Sequence, residues 1–456
     1  MEIAGRKVLV VGMEKSGVAS AELLLRERAR VTAADQKPFE ALGESARKLR
    51  ERGVEFQLQS EGGFDRFELV VLSPGVPFDA PEVMAARNAG VPVIGEVELA
   101  TPFLKGRTIG ITGSNGKTTT TALTGHILAE AGVPVQVGGN IGTPVTAMVA
   151  TSLPDQWNVL ELSSFQLETT SSFRPDVAMV LNITQNHLDR HRTMEAYAEA
   201  KARILDFQLP DDWAVLNAED EWCVRVGSRG KARRVWFSSR RGAETDVQLE
   251  NDFILYQGQH VMPIAKVPIR GLHNLENTMA AVAAARLAGV DLAAIASAVA
   301  TFRAVEHRLE FVRSIDGVDF YNDSKATSVD ATLKALSAFD GGLWVILGGK
   351  DKGSDYRPLR KPLATKARAA LLIGSAAPKI ASELEGALEM IPAGTLETAV
   401  GRAFDLAQPG DTVLLAPACA SFDQFQSYEH RGHVFKEMVH RLPQKGAMVS
   451  DHGAKA

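Results

Sequence analysis

The chain has few cysteines and no long apolar run, and each shortage narrows what the protein can be. Only two of its 456 residues are cysteine, Cys223 and Cys419, which is too few for a disulfide framework. Neither cysteine lies in a Cys/His cluster with the spacing of a zinc site. No apolar run reaches the ~18–20 residues that a membrane-spanning helix needs. We therefore expect a cytoplasmic protein that does not insert into a membrane.

An excess of charge of one sign is also missing. The chain carries 50 Lys and Arg against 55 Asp and Glu, for a formal net charge of −5. This balance offers no electrostatic attraction to nucleic acid or to an anionic membrane surface, so we expect neither as a partner. A hydrophobic content of 45% is ordinary for a globular protein, and the length predicts about two to four domains.

What the sequence does contain is a phosphate-binding loop. The segment GITGSNGKT, residues 110–118, follows an apolar strand-like run and precedes a helical pattern. Gly113 and Gly116 would let the backbone turn tightly and direct N–H groups at phosphate oxygens. Lys117 would reach the β- and γ-phosphates, and the Thr118 hydroxyl would hold Mg²⁺. The spacing departs from the strict rule, because an isoleucine stands where the first glycine is expected.

Apolar strand patterns alternate with helical patterns along the whole chain, which predicts three α/β domains. We place a Rossmann-like domain at residues 1–96, a central P-loop domain at 97–303 and a second Rossmann-like domain at 304–456. Short β-like pieces between residues 208 and 267 predict a small antiparallel insertion. The polar tail from residue 444 is expected to be disordered.

The first domain opens with an incomplete dinucleotide fingerprint. The strand KVLVVG ends at Gly12, and Asp35 follows after a helix and a second strand, as in a Rossmann βαβ unit. Glu14, however, stands where a glycine should allow close approach to a pyrophosphate. This argues against NAD and leaves two alternatives, another nucleotide or a plain scaffold.

Polar residues end several strands of the second domain. Glu161 ends the strand NVLELS and is a natural second contact for Mg²⁺. His187 and Asn140 each follow another strand, and parallel strands bring their carboxyl ends to one edge of a sheet. A capping or surface role is the alternative for Glu161 and for His187. Lys201, judged from its helical pattern alone, looks like a surface lysine.

Four strand-end loops in the third domain carry donors suited to a carboxylate or a phosphate. They are His307-Arg308, the NDSKAT segment (322–327), the GGKDK segment (348–352) and the PACASFD segment (417–423). An ordinary polar turn is the alternative for any single loop.

Eight segments of the chain carry a family resemblance: GITGSNGKTTT, GGNIG, LELSSFQLETT, LNITQNHLDRH, GLHNLEN, HRLE, NDSKATS and LLAPACASFDQF. Together they resemble the ATP-dependent Mur ligases of bacterial cell-wall synthesis. The resemblance covers nearly the whole chain. It implies an enzyme that ligates D-glutamate to UDP-N-acetylmuramoyl-L-alanine in peptidoglycan synthesis, through an acyl-phosphate and with release of ADP and phosphate. The first domain would bind the UDP-sugar, the second ATP and Mg²⁺, and the third D-glutamate.

The resemblance also implies roles for individual residues. ATP would contact Gly113, Ser114, Asn115, Gly116, Lys117, Thr118, Thr119, Asn277 or Asn274, Arg308, Asp323 and Lys325, with His307 nearby. The UDP-sugar would contact Lys15, Ser16, Asp35, Gln36, Gly75, Asn140 and His187. D-Glutamate would contact Thr327, Lys352, Ser421 and Phe422. Two Mg²⁺ ions would be held, one by Thr118 and Glu161 and one by His187 and Lys201, and catalysis would rest on Lys117, Glu161, His187 and Lys201.

The role implied for Lys201 requires a chemical modification, because an ammonium cannot ligate a cation. In the family the lysine at this motif is carbamylated by CO₂, which supplies the anionic oxygens that Mg²⁺ prefers. Within GGKDKGSD both Lys350 and Lys352 fit the family's lysine, and we favour Lys352 from its place before the small-residue turn.

Other functions stay open. Another ligase of the superfamily, including folylpolyglutamate synthetase, shares the phosphate loop, although the D-N-P-R motif of the diaminopimelate- or lysine-adding relatives is absent from the sequence. A non-catalytic nucleotide-gated protein would not need the donor-rich loops of the third domain. A Rossmann oxidoreductase is disfavoured by Glu14.

Overall fold

The computed structural model describes residues 2–303 and 305–444, which form three sheets in two compact units. The N-terminal unit comprises the described residues up to Lys266 together with Glu276–Thr301. The C-terminal unit comprises Val267–Leu275 and the described residues from Phe302 onward. The three α/β sheets confirm the predicted fold class, whereas the domain boundaries stay predictions. The predicted disordered tail lies, apart from Gln444, outside the described residues.

The first sheet of the N-terminal unit is all parallel. Its strands are β1 (Lys7–Val11), β2 (Arg30–Asp35), β3 (Glu55–Leu58), β4 (Leu69–Leu72) and β5 (Val93–Gly95), and its helices are α1 (Lys15–Arg26), α2 (Glu44–Glu51), α3 (Pro81–Asn88) and α4 (Glu96–Ala100). The order is β3-β2-β1-β4-β5, and the apolar strands β1 and β4 are almost entirely buried, as a parallel sheet covered by helices requires. The strand order reverses next to β1, so a ligand crevice is expected at the carboxyl ends of β1 and β4.

The second sheet of the N-terminal unit has nine strands. They are β6 (Arg107–Thr112), β7 (Val135–Gly139), β8 (Trp157–Glu161), β9 (Val177–Val180), β10 (Trp213–Asn217), β11 (Arg233–Phe237), β12 (Val247–Glu250), β13 (Phe253–Tyr256) and β14 (Gln259–Pro263), in the order β14-β13-β12-β11-β10-β9-β6-β8-β7. The α-helices between residues 117 and 301 are α5 (Lys117–Glu130), α6 (Val145–Met148), α7 (Ser164–Leu167), α8 (Leu188–His191), α9 (Met194–Ala202), α10 (Glu221–Val226), α11 (Leu272–Leu287) and α12 (Leu292–Thr301).

The antiparallel insertion is smaller than predicted. Strands β10 and β11 pair in parallel and extend the main sheet, because the short helix α10 crosses over between them. Among the strands described in this nine-stranded sheet, the antiparallel pairs are β12 with β13 and β13 with β14. Their turns contain Asn251 and Asp252, and Gln257 and Gly258, all with positive φ, which is the backbone of a tight hairpin turn.

The sheet of the C-terminal unit is parallel except at one edge. Its strands are β15 (Glu310–Ile315), β16 (Val318–Asn322), β17 (Leu343–Gly348), β18 (Ala367–Ile373), β19 (Glu389–Gly394) and β20 (Thr412–Leu415), and its helices are α13 (Val329–Ser337), α14 (Arg360–Lys366), α15 (Ala377–Glu383), α16 (Leu396–Leu406) and α17 (Tyr428–Arg441). The order is β15-β16-β20-β17-β18-β19, with β15 antiparallel to β16. The neighbouring strands β16, β20 and β17 therefore present their following loops at one edge. Across the described part of the chain, no helix combines the length and apolar character needed to cross a bilayer.

Candidate functional site

The phosphate loop connects β6 to α5, where the motif predicts it. Gly116 has φ of 82°, and a Cβ at this position would lie 2.1 Å from Oδ1 of Asn277, so only glycine fits. Nζ of Lys117 donates to the carbonyl oxygens of Gly113 at 2.8 Å and Ser114 at 3.1 Å. Helix α5 begins at Lys117, so the positive end of its dipole lies at the loop.

Hydrogen bonds connect three side chains, starting from Thr118 at the end of the loop. The Thr118 hydroxyl donates to Oε2 of Glu161 at 2.8 Å, and Nδ2 of Asn140 donates to Oε1 of the same carboxylate at 2.8 Å. Thr118 and Glu161 are 3% and 2% exposed. A buried carboxylate next to a hydroxyl at the start of a phosphate-binding helix is an all-oxygen donor set of the kind Mg²⁺ prefers. The residues present therefore fit a magnesium ion.

Lys201 is buried beside this loop and is not the surface lysine that its pattern indicates. It is 1% exposed, and its Nζ donates to the Gly113 carbonyl oxygen at 2.7 Å, the same oxygen that Lys117 contacts. Nζ also lies 4.7 Å from the centroid of the Tyr197 ring. Burial, helped by the neighbouring charge of Lys117, lowers the pKa of Lys201 well below its usual value. The site therefore favours a neutral amine.

Residues outside the predicted set brace the loop. The Asn182 side chain accepts from the Asn115 backbone N–H at 2.8 Å and donates to the Asn115 carbonyl oxygen at 3.1 Å. The Ser114 hydroxyl donates to the Thr184 carbonyl oxygen at 2.9 Å and lies 3.1 Å from the Tyr197 hydroxyl. The sequence held one signal for Asn182 and Thr184, since both follow an apolar strand in the segment LNITQN.

His187 lies on the exposed side of this region. It adopts a left-handed backbone, with φ of 52°, immediately before α8. Its ring centroid lies 4.9 Å from that of Phe165 and 6.4 Å from that of Tyr197. His187 and Lys201, the two predicted ligands of a second Mg²⁺, therefore both lie near the Tyr197 ring.

A cavity of about 770 Å³ opens at the carboxyl ends of β1, β2 and β4. It is lined by six of the seven residues predicted for the UDP-sugar: Lys15, Ser16, Asp35, Gln36, Gly75 and Asn140. Within the described part of the chain, His187 is not among the lining residues. Asn140 lines the cavity and also bonds to Glu161, so one side chain connects the cavity wall with the phosphate loop.

Glu14, the departure from the dinucleotide fingerprint, lines the same cavity. Its φ of −80° is ordinary for any residue, so the backbone does not require the glycine that the fingerprint expects. Gly17 is different, because a Cβ there would lie 1.8 Å from the Gly12 carbonyl oxygen. Asp35 accepts a hydrogen bond from the Met13 backbone N–H at 2.7 Å, which fixes the shape of the loop around Glu14.

The C-terminal unit holds most of the other residues predicted for ATP. Asp323 is buried and accepts a hydrogen bond from the Leu309 backbone N–H at 3.2 Å. Burial raises the pKa of Asp323 to about 7, although the charge of Arg308 opposes this. The His307 ring accepts a hydrogen bond at Nδ1 from the Asn322 amide at 2.9 Å, while its backbone takes a φ of 65°.

Three further residues predicted to contact ATP are Lys325, Asn274 and Asn277, and each has different neighbours. Nζ of Lys325 lies 5.2 Å from the Tyr428 ring centroid. The Asn274 side chain donates to the Arg270 carbonyl oxygen at 2.8 Å and belongs to the C-terminal unit. Asn277 belongs to the N-terminal unit and contacts the phosphate loop at Gly116, which makes it the better candidate of the two asparagines.

The loops predicted for D-glutamate are joined through their backbones. Lys350 and Ala420 exchange both backbone hydrogen bonds, at 2.8 and 3.2 Å, and the Ala418 N–H donates to the Ala326 carbonyl oxygen at 2.9 Å. These contacts bring together the loops that carry Thr327, Lys352, Ser421 and Phe422. Ser421 is 2% exposed and Phe422 67% exposed, so one is part of the loop framework and the other is open to solvent.

Arg431 was missed by sequence reasoning although it holds two of these loops together. It is fully buried in α17 and donates to the Ser324 hydroxyl at 2.9 Å, the Ser324 carbonyl oxygen at 2.8 Å and the Cys419 carbonyl oxygen at 3.3 Å. Burial lowers the pKa of Arg431 to about 10. No local pattern could have found it, because it lies 107 residues from Ser324 in sequence.

Comparisons with known proteins agree with this architecture. Models of the Mur ligase MurD-like N-terminal domain, the Mur ligase middle domain and the Mur ligase glutamate ligase domain match residues 6–95, 111–285 and 307–419. The UDP-N-acetylmuramoylalanine--D-glutamate ligase of Solibacter usitatus (strain Ellin6076) is 62% identical to this chain over 98% of it and 100% of the relative. That of Acidobacterium capsulatum is 53% identical over 98% of each chain.

Solved structures share the fold at much lower identity. The UDP-N-acetylmuramate-alanine ligase MurC of Thermotoga maritima matches with a TM-score of 0.61 at 20% identity, covering 95% of this chain and 99% of that one. The MurF ligase of Thermotoga maritima in complex with ADP matches with a TM-score of 0.59 at 16% identity, covering 96% of each chain. The resemblance indicated by the motifs is confirmed by the family models and the full-length relatives, and the chain belongs to the Mur ligase family.

Proposed function

We propose that this protein uses ATP to ligate D-glutamate to UDP-N-acetylmuramoyl-L-alanine, in the cytoplasm and for peptidoglycan synthesis. The observation that carries the proposal is the path from Thr118 through Glu161 to Asn140, because Asn140 also lines the 770 Å³ cavity. The phosphate loop therefore adjoins a cavity large enough for a substantial part of a sugar nucleotide. The 62% identity with a D-glutamate ligase over the whole relative supports the same substrates.

The proposed reaction has two steps, phosphorylation of a carboxylate and then formation of an amide. A carboxylate oxygen of the L-alanyl group attacks the γ-phosphorus of ATP, an O–P bond forms, and ADP leaves. The amine of D-glutamate then attacks the acyl carbon, and the tetrahedral intermediate expels phosphate as the amine loses a proton. Lys117 supplies positive charge to the transferring phosphoryl group, and most of the remaining catalysis is positioning.

Thr118 and Glu161 would hold one Mg²⁺, which when bound supplies positive charge against the phosphate oxygens. The Asn140 amide fixes the orientation of the Glu161 carboxylate through its hydrogen bond at 2.8 Å. His187 and Lys201 would serve a second ion. The approach of both to the Tyr197 ring supports that pairing.

Lys201 would carry CO₂ as a carbamate. Its lowered pKa keeps a share of the amine neutral, and a neutral amine adds to CO₂ by forming an N–C bond with loss of a proton. Lys117 and Lys201 both donate to the Gly113 carbonyl oxygen, so a protonated Lys201 would place a second cation at one small acceptor. The carbamate instead carries a negative charge, which the neighbouring charge of Lys117 stabilises.

The residues of the C-terminal unit would complete the substrate contacts. Arg308, Asp323 and Lys325 would serve ATP, together with Asn277 of the N-terminal unit. Thr327, Lys352, Ser421 and Phe422 would take D-glutamate. The backbone bonds between their loops support a shared role for these four residues.

The test is phosphate release from ATP by the purified protein. Release should require both UDP-N-acetylmuramoyl-L-alanine and D-glutamate, and L-glutamate, L-lysine or meso-diaminopimelate should not replace D-glutamate. Release in the absence of the sugar nucleotide, or equal release with another amino acid, would contradict the proposal and favour a different ligase of the superfamily.

A further inference from the structure

Tyr356 connects the two loops that carry Lys352 and Ser421. Its side chain is fully buried, and its hydroxyl donates to Oδ1 of Asp351 at 2.8 Å. The same hydroxyl lies 3.0 Å from the thiol of Cys419, two residues before Ser421. Because the hydroxyl proton is given to the carboxylate, the thiol is the donor in the second bond. One oxygen atom therefore ties the two loops together.

Asp351 is a firm anchor for this link. Its carboxylate also accepts from Nζ of Lys379 at 3.0 Å and from the Ser354 backbone N–H at 3.2 Å. Although burial acts to raise it, the pKa of Asp351 is lowered to about 2 by the hydrogen bonds from Lys379, Tyr356 and Ser354. Asp351 precedes Lys352 directly, so the orientation of its carboxylate constrains the backbone from which Lys352 projects.

The hydroxyl is not needed to fill space. The aromatic ring of Tyr356 already packs in the core of the C-terminal unit, and phenylalanine would occupy the same volume. A buried hydroxyl is costly unless it is paired, so its placement between a carboxylate and a thiol is specific to those two partners. The Tyr356 backbone is held separately, since its N–H donates to the Glu383 carboxylate at 2.7 Å. The ring of Tyr356 thus packs in the core, and its hydroxyl connects the two loops.

We infer that the Tyr356 hydroxyl is a positioning element for the D-glutamate subsite. Through Asp351 and Cys419 it sets the separation between the loop of Lys352 and the loop of Ser421. This inference rests on the proposed function. Neither loop itself carries a residue assigned to ATP or to the sugar nucleotide, so the main effect of the hydroxyl falls on the amino-acid substrate.

The experiment compares the wild-type enzyme with Tyr356→Phe in steady-state assays that vary one substrate at a time. The KM for D-glutamate should rise about tenfold, the size expected when one buried hydroxyl and its two hydrogen bonds are removed. The KM values for ATP and for the sugar nucleotide should change by less than about twofold, as should kcat, because the lost interaction acts on binding of one substrate. Tyr256→Phe, at a buried tyrosine in β13, is the matched control and should leave all three KM values unchanged.

A second variant tests the link from its other end. Cys419→Ala should also raise the KM for D-glutamate alone, and the double variant should raise it by less than the product of the single effects, because both changes break the same connection. If Tyr356→Phe does not fold, Cys419→Ala alone tests whether the link positions the D-glutamate subsite.

An unchanged KM for D-glutamate, or equal increases for all three substrates, would overturn the positioning role. A wild-type enzyme that releases no phosphate with D-glutamate would instead overturn the proposed function, before any variant is compared.

Discussion

Replacing Asp323 by asparagine should stabilise the C-terminal unit at alkaline pH and have little effect near pH 4. Burial raises the pKa of this carboxyl from 3.8 to about 7. At ~1.4 kcal/mol per tenfold change in proton affinity, the ionised form destabilises the native state by about 4 kcal/mol. Asparagine has nearly the same shape, can keep the hydrogen bond from Leu309, and does not ionise.

The direction in which stability changes with pH follows from proton binding. Between pH 4 and pH 7 the native carboxyl retains a proton that the unfolded chain has released, so the wild-type protein loses stability as the pH rises. The advantage of Asp323→Asn should therefore be small at pH 4, grow with pH, and level off above pH 7. With ~2–4 °C per kcal/mol for a unit of this size, the variant should melt roughly 10 °C higher at pH 8.

Differential scanning calorimetry at pH 4, 6 and 8 measures this difference, and Asp319→Asn is the control. Asp319 lies on β16, the strand that ends directly before Asp323, but it is only partly buried. At pH 8 its replacement should give a smaller difference than Asp323→Asn. A difference between Asp323→Asn and the wild type that is independent of pH, or an unstable variant at pH 8, would refute the account of a buried carboxyl held against ionisation.

Three further substitutions test other parts of the account. Lys117→Ala should lower turnover by about 10²-fold or more without lowering the melting temperature, because one charge that stabilises the transition state is lost; a tenth of wild-type turnover in a folded variant would exclude the phosphate-loop role. Lys201→Ala should lose most activity and regain part of it with a small added carboxylic acid, and a density map showing an unmodified amine beside a filled second Mg²⁺ site would contradict the carbamate. Arg431→Met should destabilise the C-terminal unit by ~2 kcal/mol or more in urea titrations, because buried carbonyl oxygens lose their donors; unchanged stability would mean that the arginine does not hold the loops.

The phosphate loop and the cavity could be predicted because their signals are local. Gly116 and Lys117 lie within one strand–turn–helix segment, and the turn admits only glycine at position 116. Asp35 ends β2 and Gly75 follows β4 in one parallel sheet, and such strands bring their carboxyl ends to one edge. In both cases a rule about neighbouring residues or strands is enough to place the side chains.

The surroundings of Lys201 and Tyr356 could not be predicted in this way. Lys201 contacts the Gly113 carbonyl oxygen from 88 residues away, and its burial depends on how α9 packs against the loop. The Tyr356–Cys419 contact spans 63 residues and joins two loops whose turns look ordinary in sequence. The parallel pairing of β10 and β11 was hidden by the six-residue helix α10, which is too short to show a helical period.

We propose that ATP activates the L-alanyl carboxylate as an acyl-phosphate where the phosphate loop adjoins the cavity. Sugar nucleotide whose L-alanyl carboxylate carries ¹⁸O in both oxygens tests this step. One labelled oxygen should appear in the released inorganic phosphate and the other should remain in the new amide, as mass spectrometry of both products would show. Phosphate without ¹⁸O, formed together with the ligated product, would contradict the account, because the carboxylate oxygen would never have been bonded to phosphorus.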